Sequence, residues 1–180
     1  QTSVAEIQSF MTAVVSILDD AAEAVDGTLN STASDLAALG FDTTTGTLVD
    51  SSAALPTVTT LNHPIIRQAI AATADDLSGV NRLSKLKNLV EETAKAANKI
   101  ANYTDTASSS TPTAAGLVPS VEDFEAIFVD DVDSTNIAAL RDALADDDVS
   151  VGGALTADIQ KVVDSYNKVL HLADATDNVL

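Results

Sequence analysis

The stretches VAEIQSFMTAVVSILDDAAEAVDG at residues 4–27 and TADIQKVVDSYNKVLHLADATDN at residues 156–178 decide the fold. When Ile7 is set against Ile159 and Gln8 against Gln160, the apolar positions that follow coincide. Phe10 meets Val162, Met11 meets Val163, Val14 meets Tyr166, Ile17 meets Val169 and Leu18 meets Leu170. A third copy lies between them, with Leu86, Leu89, Val90, Thr93, Ala96 and Ala97 in the same places. Steps of three, four and seven residues put one apolar stripe along an α-helix. Each copy therefore predicts a long amphipathic helix of about five or six turns at ~3.6 residues per turn.

The likeness extends upstream of the second and third copies. DLAALGFD at 35–42 matches DFEAIFVD at 123–130, pairing Leu36 with Phe124, Leu39 with Ile127 and Gly40 with Phe128. NHPIIRQAIA at 62–71 matches NIAALRDALA at 136–145, pairing Arg67 with Arg141 and Ile66 with Leu140. The offset between the copies shortens along the chain, so the first copy carries an insertion, TTTGTLVDSSAALP at 43–56. Asn62 and Pro64 suit a helix start, since Pro is tolerated in the first turn, and Ser134, Thr135 or Asn136 suits the counterpart. The expected fold is all-α, a helical-repeat bundle or short solenoid of about seven helices. It comprises an N-terminal helix over residues 1–28, a repeat unit over 33–105 with the 43–56 insertion, a Ser/Thr/Pro linker over 106–118, and a second unit over 119–180. The two units are related three-helix assemblies. Repeats bury their stripes on neighbours, so a helix lacking the rest of its unit should seek a partner.

Of the 180 residues, 27 are acidic and 9 basic, for a net charge of −18, which opposes contact with phosphate backbones and excludes nucleic acid as the expected partner. Residues 1–60 carry no base at all, and the cations gather in the middle of the chain. No apolar run reaches the roughly 20 residues of a spanning helix, and no basic-then-apolar leader precedes Gln1, so membrane insertion is not expected. With no Cys, neither a disulfide framework nor a thiolate zinc site is available.

The segments AIAATADDLSGVNRLSKLKNLVEE, SVEDFEAIFVDDVDSTNIAALRDAL and TADIQKVVDSYNKVLHLADATDN resemble the Ala- and Asp-rich tandem helical repeats of large bacterial surface adhesins and biofilm-associated proteins. The likeness covers nearly all of residues 33–105 and 119–178. It departs from the pattern at Phe128, which stands where the other copy has Gly40, and at the 43–56 insertion. The resemblance implies an extracellular or cell-surface location and a structural or adhesive role, and it carries over no catalytic residues.

Candidate chemistry is sparse. There is no G-x-S-x-G elbow, phosphate loop or dinucleotide fingerprint, so no enzyme activity and no resident cofactor are expected. Calcium is the one ion the sequence raises, because Asp130, Asp131 and Asp133 read like the opening of a calcium loop. Asn136 stands where that loop needs Gly, and Asp142 where it needs Glu. Phe10, Phe124 and Tyr166 fall on apolar stripes and are expected in the core. Asn30 and Asn102 complete glycosylation triplets. Function in repeat proteins often resides in insertions, which makes Thr43, Thr47, Leu48, Val49 and Pro56 the expected contact surface. Self-association into a fibre is the leading expectation. A soluble carrier of a small apolar ligand is the alternative, since Ala-rich helices can leave a cavity.

Overall fold

The computed structural model describes residues 3–22, 29–41, 58, 62–73, 79–101, 103, 118–145 and 155–176. Among these the chain is all-helical. Its seven helices are α1 (Val4–Ala22), α2 (Ala33–Ala38), α3 (His63–Ala71), α4 (Leu83–Ala101), α5 (Val121–Glu125), α6 (Ile137–Ala145) and α7 (Leu155–Thr176). The long helices α1, α4 and α7 are the three aligned copies. The chain divides into two compact units, Gln1–Asn98 and Lys99–Leu180. The 43–56 insertion and the linker over 106–117 lie outside the described residues, as does Asn102.

In the first unit α1 lies against α2 and α3. Ala13, Ile17 and Ala21, one stripe of α1, join Leu36, Ile66, Ile70, Leu86 and Val90 in a single buried cluster. The Ala residues let the helices approach closely, and the branched residues fill the space between them. Helix α3 starts where the sequence places it, with Asn62 in the cap position and Pro64 in the first turn. In the second unit α6 lies against α7. Phe124, Ile127, Val129, Ile159 and Val163 are buried there.

The short helices α2 and α5 are too brief to be stable alone, and their ends are held by local hydrogen bonds. Thr32 N–H and Oγ1–H both donate to Asp35, each at 2.7 Å. At the matching place, Ser120 N–H and Oγ–H donate to Asp123 at 2.7 and 2.9 Å. Both helices also end alike. Gly40 N–H donates to Ala37 and Phe41 N–H to Leu36, while Phe128 N–H donates to Glu125 and Val129 N–H to Phe124. This paired pattern satisfies the last carbonyls and needs a left-handed residue just past the helix end, at the donor of the first bond of each pair, Gly40 and Phe128. Gly40 has φ 91° and Phe128 has φ 62°. The Gly-to-Phe departure in the sequence thus leaves the backbone course unchanged.

Only Gly adopts this conformation without strain, and the strain for other residues is about 1–2 kcal/mol. A Cβ at Gly40 would meet nothing within 4 Å, so Gly40→Ala should cost about 1 kcal/mol by conformation alone. Phe128→Gly should relieve a comparable strain while losing the contacts of a half-buried ring. Chemical denaturation of the two variants checks this, and a neutral Gly40→Ala would contradict it.

Candidate interaction surface

Every described residue from Ser3 to Thr12 is exposed, on all sides of α1. The helix is started by a reciprocal pair, in which Ser3 N–H donates to Glu6 Oε2 at 2.6 Å and Glu6 N–H donates to Ser3 Oγ at 3.2 Å. The Ser3 N–H, and after it the Ser3 hydroxyl, hold the Glu6 carboxyl below its ordinary value. The apolar residues of these turns, Val4, Ile7, Phe10 and Met11, together with Val15 in the next turn, are large and solvent-facing. Phe10 therefore departs from the expectation that it would lie in the core. Phe124 is fully buried as expected, and Tyr166 is half-buried. A helix without a buried face gains nothing from tertiary contact, and short isolated helices are marginal in water.

Where α1 enters the unit, its flank borders a groove of about 360 Å³. Phe10, Val14, Leu18, Leu39, Val80 and Leu83 form most of its wall, and Asn81 is the one polar side chain among the described lining residues. A smaller cavity of about 110 Å³ lies between α6 and α7, edged by Ala139, Ala143, Val162 and Tyr166. The groove sits at the low end of the roughly 300–1,000 Å³ range of small-molecule pockets.

The buried end of α1 is pinned by Asp20, which has no solvent exposure although it is a carboxylate. Its oxygens accept from the N–H groups of Asn30 and Ser31 and from the Ser31 hydroxyl. Arg67 Nε lies 3.7 Å from Asp20 Oδ2, an ionic contact without a hydrogen bond. Charge-assisted hydrogen bonds of this number offset the cost of removing a carboxylate from water. In the second unit Arg141, the residue aligned with Arg67, donates directly to the carbonyl of Pro119, the residue aligned with Ser31. Both arginines thus serve the segment that leads into a short capped helix. The sequence did carry a sign of Asp20, an acid on the same stripe as Ala13 and Ile17, seven residues after the first and three after the second.

His63 shares this region, with Nε2 enclosed and lacking a hydrogen-bond partner. Burial, aided by the neighbouring Arg67 charge, holds the imidazole below its ordinary 6.5, while Asp20 and Asp35 pull the other way. As pH falls through 6.5 the unfolded chain takes up a proton that the folded chain resists, so the unfolded state binds more protons. This contribution to stability is complete above that pH and declines below it. Thermal melting between about pH 7.5 and 5 should show the decline, and His63→Gln should flatten it. Equal slopes for the two chains would refute the assignment.

The Asp130, Asp131 and Asp133 group is engaged in local structure. Gln160 receives the Asp130 N–H and donates to its carbonyl, and Asn136 donates to the Asp131 carbonyl at 2.6 Å. Asp133 Oδ1 accepts from the hydroxyl and N–H of Thr135, and these two bonds hold its carboxyl below the usual value. Asn136, buried at the cap of α6, takes the N–H of Asp133 and also donates to Asn167 of α7. Among the described residues, no group of three or more His, Asp or Glu is placed to hold a metal ion. His63 belongs to the first unit and His171 to the second. Thr43, Thr47, Leu48, Val49 and Pro56 lie outside the described residues, and Asn30 is exposed with its N–H on Asp20. No described helix is long and apolar enough to cross a membrane. No protein family, curated protein or solved structure matches the chain.

Proposed function

We propose that the chain is a non-enzymatic structural or adhesive component of a bacterial cell surface or extracellular matrix, and that it associates with copies of itself through α1. The observation that carries this reading is the exposed apolar residues in the first half of α1, Val4, Ile7, Phe10 and Met11. Contiguous exposed apolar area on an otherwise acidic chain marks a contact surface. The resemblance to Ala- and Asp-rich surface repeats supplies the location. The repeat architecture, two related three-helix units with α1 as a further copy of the long helix, is supported by the shared caps and chain reversals of α2 and α5.

Sedimentation velocity of the full chain tests the reading. The wild type should form larger species as concentration rises, and Ile7→Glu with Met11→Glu should remain monomeric with an unchanged melting temperature, because both side chains are already exposed. A wild type that is monomeric throughout would overturn it. The groove beside Phe10 favours a second reading, a carrier of a small apolar ligand. Native mass spectrometry showing a co-purified ligand displaced by Leu18→Trp would select that reading.

A further inference from the structure

We infer that the exposed first half of α1 is covered by the exposed last half of α7 from a second copy of the chain, in a head-to-tail joint; this rests on the self-association proposed above and names its partner surface. The three long helices share one register but not one pattern of burial. At the first aligned position Ile7 is 52% exposed, whereas Leu86 is 3% and Ile159 0% exposed. One turn on, Met11 is 54% exposed against 0% for Val90 and 2% for Val163. Two turns later the pattern reverses, with Ile17 and Ala96 each at 2% and Val169 at 62%. Helix α4 is thus buried along its whole stripe, α1 only in its second half and α7 only in its first. What α1 leaves open is the half that α7 has closed, and conversely.

Charge selects which open surfaces meet. Residues 3–18 hold one charged side chain, Glu6, while the last half of α7 holds Lys168 and His171 with one acid, Asp174, near its end, in a chain of net charge −18. Pairing α1 with α7 can set Glu6 against Lys168. Pairing α1 with α1 would face Glu6 with Glu6, and pairing α7 with α7 would face Lys168 with Lys168; like charges in contact are strongly disfavoured. A joint between two different surfaces leaves one of each open on every unclosed assembly, so it propagates until it closes into a ring or continues as an open filament.

The chain lacks Cys, so single reporters can be placed at the exposed positions Met11→Cys and Leu172→Cys. With a flexible bis-maleimide, a mixture of the two variants should give several-fold more cross-linked dimer than either variant alone. Lys168→Glu should weaken association about tenfold, and adding Glu6→Lys to that chain should restore it. Association with cross-links only between like positions, or a Lys168→Glu chain that associates like the wild type, would overturn the joint while leaving self-association standing. A wild type that never leaves the monomer would overturn both.

Discussion

Asp20→Ala is expected to lower the stability of the Gln1–Asn98 unit by about 3–5 kcal/mol, the usual penalty for removing one partner of a buried ionic network. The loss falls on both sides of the contact. The N–H of Ser31 and its hydroxyl, both buried, lose their acceptor, and Arg67 loses its anion. Stranded donors of this kind cost more than the net value of the bonds they once made. Asp20→Asn keeps one acceptor oxygen and should recover part of the loss. Urea denaturation of the three chains checks the order, and a wild-type midpoint for Asp20→Ala would show that Asp20 does not pin the end of α1. Because Asp20 fixes the end of α1, this variant should also loosen the groove beside Phe10 and Leu18.

Phe124→Ala should have an effect of similar size on the other unit. Phe124 is fully buried on a five-residue helix that has little else to hold it. Truncation of a buried Phe costs about 3–5 kcal/mol through lost transfer energy and the cavity left behind. The hydrogen bond from Ser120 N–H to Asp123, and the half-buried ion pair of Asp123 with Lys99 at 2.6 Å, would persist. An ion pair still open to solvent is worth only about 1 kcal/mol and cannot compensate. Thermal unfolding followed by circular dichroism measures the drop, and a loss under about 1 kcal/mol would show that α5 is not anchored by this ring.

The helices themselves were legible in the sequence, because the spacing of Ile7, Phe10, Met11 and Val14 admits one regular structure whatever surrounds it. The start of α3 at Asn62 and Pro64 was legible for the same local reason. Burial was not. Ile7 and Ile159 occupy the same register and look alike as letters, yet one is half-exposed and the other enclosed, since burial depends on which elements arrive from elsewhere in the chain. Phe10 was expected in the core on its stripe position and lies at the surface for that reason. Gly40 and Phe128 show the converse. Their residue types differ, but the carbonyls at the end of each short helix impose the same left-handed turn. The Thr32–Asp35 and Ser120–Asp123 pairs stand at the same offset as that turn, and their matching caps were a sequence signal of the shared motif.

Asp130, Asp131 and Asp133, which the sequence raises as the opening of a calcium loop, join α6 and α7 through the backbone groups of Asp130 and Asp131 and the side chains of Asn136, Gln160 and Asn167. The surface with unmet contacts is apolar, and its residues are ordinary members of a helical stripe.

Amide hydrogen exchange of residues 7–12 at rising protein concentration tests most directly whether that surface is an interface. A helix segment with no packed face should exchange within the range of local fraying when the chain is dilute. These amides should become strongly protected as concentration rises, while the amides around Ile66 and Ile70 keep their rates. Fast exchange at residues 7–12 at every concentration would contradict it.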